Sequence, residues 1–161
     1  MAITRGSEED LPDILALLRQ SALPAAGIEQ HLDATLVARD GAKLVGCAAV
    51  EIYGSVGLLR SVAVASAQRG AGLGQELTLA ALELARRRGV GTIYLLTTTA
   101  DQFFPRFGFA AIPRTEMDPS LQESEELRGA CPASAVAMRA SLSTSSLSSR
   151  QSSVKPPAPR R

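Results

Sequence analysis

Ser61-Val62-Ala63-Val64-Ala65-Ser66-Ala67-Gln68-Arg69-Gly70-Ala71-Gly72-Leu73-Gly74-Gln75-Glu76-Leu77 is the stretch that decides the fold. Its apolar start, with Val62 and Val64, reads as a strand, and Leu73, Leu77, Ala80, Ala81 and Leu84 recur beyond it at helical spacing. Between the two lies a glycine loop, Gly70, Gly72 and Gly74. A strand that turns through glycines straight into a helix leaves the unpaired first-turn amides and their partial positive charge open to an anion, with no Cβ in the way. Phosphates bind at such places. A plain tight turn before a helix has the same letters. Two phosphate loops do not fit. A Walker loop wants Lys and then Ser or Thr after its last glycine, where this chain has Gln75 and Glu76, and the dinucleotide pattern Gly-x-Gly-x-x-Gly has the wrong offset.

What does fit is Arg69-x-x-Gly72-x-Gly74, which resembles the pyrophosphate loop of the GNAT N-acetyltransferases, where it cradles acetyl-coenzyme A. A second segment agrees in spacing. Thr97-x-x-Ala100-x-x-x-Phe104-x-x-x-Gly108-Phe109 is similar to the family's Asn-x-x-Ala-x-x-x-Tyr-x-x-x-Gly-Phe, with Thr97 in place of the asparagine and Phe104 in place of a tyrosine that often protonates the leaving thiolate. The resemblance implies an α/β fold, a mixed central sheet flanked by helices, with acetyl-coenzyme A as cosubstrate. It implies coenzyme contacts at Val62, Ala63, Val64, Arg69, Gly70, Ala71, Gly72, Leu73, Gly74, Gln75 and Phe104.

A chain of 161 residues, 45 % of them hydrophobic, is one globular domain on length and composition. Residues 1–139 carry 13 basic and 16 acidic side chains, near −3, and the chain is only 4 % aromatic, so neither a basic face nor stacking platforms favour nucleic acid. Cys47, Cys131 and the sole histidine, His31, have no metal-ligand spacing, and no metal is expected. No apolar run reaches the roughly 18 residues of a membrane span, and the N-terminus lacks a signal-peptide layout, which reads as a cytoplasmic protein without membrane partners. From Ala140 onward eight serines and three prolines form a tail expected to be disordered, so the acetyltransferase domain is placed at 1–139 and the tail at 140–161.

In chain order, Ile3–Arg5 reads as a strand and residues 8–20 as an amphipathic helix behind Ser7. Residues 28–34 read as a short helix carrying His31. That histidine is expected at the surface or packed, although the corresponding loop of the family walls the acceptor pocket. Thr35–Arg39 and Lys43–Tyr53 form a hairpin around Asp40-Gly41, with Gly46 marking a bulge or a close backbone approach. Then follow a strand over 56–64, the helix over 73–88, a strand over 92–97, a short helix over 100–107, a strand over 109–112, a polar segment with helical character over 119–128 and a strand over 134–139. The triplet Arg86-Arg87-Arg88 suits the negative end of the helix dipole.

Leu58-Leu59-Arg60-Ser61-Val62, Tyr94-Leu95-Leu96-Thr97, Phe103-Phe104 and Cys131-Pro132-Ala133-Ser134-Ala135-Val136 together resemble the arsenic-resistance branch of the family, related to enzymes acetylating phosphinothricin and its arsenic analogue. The resemblance implies an acyltransferase acting on the amine of a small, anionic, amino-acid-like acceptor. Glufosinate-type relatives carry a strand glutamate two residues before the Ser-Val pair, where this chain has Leu59. Glu51 and Glu126 are the candidates for the vacant base, Glu51 through a relayed water. Arg60 offers a planar fork to an acidic group, and Ser124 is assigned with it to the acceptor. Cys131 could act as a thiol acid. Plain alternatives stand beside these: a solvated strand position for Glu51, an ordinary ion pair for Arg60 and an inert core thiol for Cys131. No nucleophile sits with a paired base, so direct attack is expected over a covalent intermediate. A non-catalytic acyl-coenzyme A binding module and a peptide acetyltransferase remain open as alternatives, as does a homodimer.

Overall fold

The computed structural model describes residues 2–130 and 134–142. Cys131 and the tail beyond Leu142 lie outside the described residues. Among the described residues, seven strands form one sheet in the order β1-β2-β3-β4-β5-β7-β6, with β1 Ala2–Arg5, β2 Thr35–Asp40, β3 Lys43–Tyr53, β4 Val56–Val64, β5 Thr92–Thr97, β6 Ala110–Ile112 and β7 Val136–Ser141. Only β4 and β5 run parallel; they are joined by the helix α2, Leu73–Arg87, and every other neighbour is antiparallel. This is the mixed sheet flanked by helices that the sequence predicts.

The core explains why β3 reads as an almost unbroken apolar run. It is buried on both faces. One face takes α2 through Leu73, Leu77, Ala81 and Ala85, packed on Val45, Ala48 and Val50. The other takes α1, Leu11–Gln20, through Ile14, Leu17 and Leu18, packed on Cys47 and Ala49. Gly46 makes the close approach of α2 possible: a Cβ there would stand 2.7 Å from Leu77 Cδ1 and 3.2 Å from Leu73 Cδ2. Both leucines are buried and have little room to give. Gly46→Ala is therefore expected to cost about 1–2 kcal/mol through overpacking. A thermal melt reads this as a lower Tm, and an unchanged Tm would refute the close-approach account.

Local chemistry trims several expected elements. The first helix starts as a 3-10 turn over Glu8–Asp10, because Pro12 supplies no N–H to close an α-helical bond onto Glu8, and Leu11 N–H bonds Glu8 O instead. The helix expected over 100–107 shrinks to a 3-10 turn over Phe104–Phe107 with Pro105 in its first turn. Residues 28–34 form 3-10 turns with a kink at His31. The hairpin closes on Gly41 and Ala42, one residue later than Asp40-Gly41, since Asp40 still pairs with Lys43. The last strand runs to Ser141 instead of Arg139, and Leu142 is buried beyond it.

Candidate active site

Strands β4 and β5 pair only at Val56/Thr92, Gly57/Ile93 and Leu58/Tyr94 and then diverge. Beyond Leu58 the gap becomes a cleft of about 590 Å³, walled by residues 59–64 of β4, residues 95–100 after and within β5, Phe104, Ala135, and residues 21–24 that leave α1. The β4 wall is bulged. Arg60 pairs with Ala49 and Ala63 with Cys47, so Ser61 and Val62 together oppose Ala48 alone. Ser61 holds φ at +61°, a conformation uncommon outside glycine, and the irregularity redirects the backbone groups beside the cleft.

At the far end of β4 stands the glycine loop. Gly72, at φ +88°, caps α2, and the first helical bond runs from Glu76 N–H to Gly72 O at 3.0 Å. The N–H groups of Leu73, Gly74 and Gln75 thus have no acceptor within the helix, and no side chain caps them. Added Cβ atoms at Gly70 or Gly72 would meet nothing within 4 Å, and both glycines are exposed. Leu73 offers its N–H alone, its side chain being buried under the helix. Arg69 lines the cleft with Nε bonded to Val64 O at 3.1 Å. On the opposite wall Thr97 Oγ1 accepts from Ala100 N–H at 2.9 Å and shapes the turn there. Phe104 is buried edge-on against Phe103 and Phe109 and brings no hydroxyl.

Behind the bulge, on the sheet face away from α2, four separated parts of the chain meet. Glu51 on β3 is 0 % exposed, and Arg60 on β4 and Glu126 in the π-turn Glu126–Ala130 are each 3 % exposed. Arg60 Nη1 donates to Glu51 Oε2 at 2.7 Å, and its Nε lies 3.4 Å from Glu126 Oε1 and donates to Ser61 Oγ at 3.1 Å. The Tyr53 hydroxyl donates to Glu51 Oε1 at 2.5 Å, and His31 Nε2 lies 3.7 Å from that oxygen. Burial raises the Glu51 carboxyl, but hydrogen bonds from Tyr53, Arg60 and Ser124 outweigh it and hold Glu51 below the usual carboxylate range. Glu126 goes the other way. Burial pushes it up to about 7, with Arg60 pulling down and Glu51 adding to the rise. One guanidinium thus serves two carboxylates, one firmly ionised and one poised near neutrality.

The Acetyltransferase (GNAT) family matches residues 5–109, well over half of the chain. The chain belongs to this family. Among solved structures, this GNAT protein is similar to N-acetylglutamate synthase from Neisseria gonorrhoeae complexed with coenzyme A and N-acetyl-glutamate, at TM-score 0.75 and 20 % identity over 88 % of this chain and 35 % of that one. It is also similar to Rv2747 from Mycobacterium tuberculosis in complex with coenzyme A, at TM-score 0.73 and 22 % identity over 88 % and 99 %. The PaiA N-acetyltransferase from Thermoplasma acidophilum in complex with coenzyme A follows, at TM-score 0.63 and 14 % identity over 87 % and 98 %. At these identities the likeness is one of fold. The chain spans about a third of the synthase structures it matches. No curated protein matches it significantly.

In this GNAT protein the residues named from sequence fall into two groups on either side of β4. Val62, Ala63, Val64, Arg69 and Phe104 border the cleft, the glycines follow Arg69 without lining it, and Glu51, Arg60, Ser124 and Glu126 share the buried network. Arg60 joins the two, since it also lines the cleft. Sequence reading missed Tyr53 and the contact of His31 with Glu51. Tyr53 stands two residues after Glu51, hence on the same strand face, and that spacing was the available signal. Cys47 is buried with its thiol donating to Ser61 O at 3.2 Å; burial pushes it up to about 12, which leaves it unreactive near neutrality. Among the described residues no group of three His, Cys, Asp or Glu side chains is arranged to hold a metal ion, and no helix is long and apolar enough to cross a membrane.

Proposed function

We propose that this protein is an acetyl-coenzyme A dependent N-acetyltransferase that passes the acetyl group directly to the amine of a small acceptor. The observation that carries the reading is one geometry: an uncapped helix N-terminus just beyond the Arg69 end of the cleft, and a buried carboxyl 3.4 Å from the Arg60 guanidinium behind its bulged wall. The amides of residues 70–75 receive the pyrophosphate. Backbone amides at Val62 and Val64 orient the coenzyme and donate to the developing oxyanion of the thioester. Glu126 takes the amine proton through water, and Glu51, fixed as an anion, keeps Arg60 in place and Glu126 basic. The amine nitrogen then bonds to the thioester carbon, the C–S bond breaks, and the thiolate is protonated by solvent, since Phe104 carries no proton to give.

An acidic, amino-acid-like acceptor is supported by the resemblance to the arsenic-resistance branch and by the neighbouring synthase, whose complex holds N-acetyl-glutamate. Free-thiol release from acetyl-coenzyme A, measured against amines with carboxylate, phosphinate or arsenic acid groups and against amines without them, tests the reading. Saturable turnover is expected with a compact amine. The missing hydroxyl at Phe104 favours a second reading, a coenzyme-binding module without turnover. Tight coenzyme binding with no thiol release on any amine would establish that one instead.

A further inference from the structure

Residues 21–24, the first wall of the cleft, and residues 25–27 that continue them have no strand to hold them. Ser21, Ala22 and Leu23 hydrogen-bond back to the end of α1, and Ile28 N–H reaches only Ala25 O. Ala22 sits at φ +57°, a strained choice for a residue with a Cβ. Two carbonyls of this loop turn inward, and both end on one side chain. Arg60 Nη1 donates to Ala26 O at 2.6 Å and Nη2 to Pro24 O at 3.2 Å. The same guanidinium holds Glu51 and Ser61 and faces Glu126. Of its five N–H groups, four are therefore committed within the protein. The fork offered to an acidic acceptor is almost full, with a single N–H of Nη2 left over.

We infer that Arg60 is a positioning residue, a buried clamp that fastens the acceptor-side wall of the cleft to the bulge of β4 and to the two carboxylates, and that it does not contact the acceptor. The inference rests on the acetyltransferase reading above. A single atom group then fixes three things at once: the loop, the Ser61 hydroxyl and the carboxylate pair. Releasing it loosens the wall for every acceptor alike, whereas an arginine that grips an acidic group matters only to acceptors that carry one.

The variant Arg60→Met with Glu51→Gln removes the clamp without leaving both buried carboxylates unbalanced. KM for the amine is expected to rise by about tenfold or more for acceptors with and without an acidic group, in keeping with the sensitivity of transfer to positioning, while coenzyme affinity changes less than about threefold. A loss confined to acidic acceptors would overturn the inference and restore direct anion contact. So would an equal loss of coenzyme affinity. Should the double variant not fold, or should the wild-type chain turn over no amine, backbone hydrogen exchange in Arg60→Lys with acetyl-coenzyme A bound supplies the answer. Faster exchange over residues 21–27 with α2 unchanged supports the clamp, and unchanged exchange over 21–27 refutes it. The latter readout fails or succeeds independently of whether any acceptor has been found.

Discussion

Glu126→Gln should lower kcat by about 10²–10³-fold, the usual worth of a positioned proton acceptor, and abolish the rise of kcat/KM with pH centred near 7. The direction follows from the site. Glu126 is a base only when ionised, and burial beside Glu51 keeps it protonated until the pH passes about 7. The same variant should be more stable than the parent, and the sign can be worked out. A carboxyl whose folded value is raised above its ordinary 4.5 contributes stability that is fully present below 4.5 and is lost as pH rises through 7. At pH 8 the parent thus holds a buried charge at a cost on the order of 3 kcal/mol, which a neutral amide avoids. Glu51, whose carboxyl is lowered, has the opposite sense: its stabilisation is present at neutral pH and is lost on acidification. The expected result is a less active, more thermostable protein whose gain in Tm appears above pH 7 and fades below about 5. Unchanged turnover with an intact pH profile would remove Glu126 from the mechanism, whatever the melting curve did.

The carboxylate network and the glycine loop differ in how far the sequence reveals them, because one is built across the fold and the other within consecutive residues. Elements written in local periodicity were legible: Thr92–Thr97 as a strand, and α2 with its loop to within a residue. Deviations came where one residue changes hydrogen-bond supply, as Pro12 does at the start of α1 and Pro105 in the turn Phe104–Phe107. The glycine loop was legible because its chemistry lies in consecutive residues. The carboxylate network was legible only as separate names. Nothing in the letters says that Glu51 and Glu126, 75 positions apart, share one guanidinium, and the bulge at Ser61 exists only through the register of β4 against β3. Arg60 is the sharpest case. Its side-chain chemistry invites an acidic ligand, and only the folded chain reveals that Pro24, Ala26, Ser61 and Glu51 have claimed the donors first.

Gly72→Val should weaken acetyl-coenzyme A binding by about 10²-fold or more while leaving the protein folded, because it acts where open space adjoins the unpaired first-turn amides of α2. Two effects combine. A β-branched residue disfavours φ +88° by about 1–2 kcal/mol, and its methyl groups occupy the volume in which a phosphate would meet the first-turn N–H groups. Backbone strain alone would lower stability and only indirectly touch the ligand, so the two need separating. Gly89 supplies the control. It holds φ +91° just past the other end of the same helix, and a Cβ there also meets nothing within 4 Å. Gly89→Val should therefore cost a similar amount of stability by denaturant titration and leave coenzyme affinity by calorimetry where it was. If both variants lost affinity equally, the loss would trace to a weakened α2 and the phosphate-binding role of the loop would fall. If Gly72→Val bound coenzyme as well as the parent, the cleft would have to seat its nucleotide elsewhere, and the assignment of residues 69–75 would fall with it.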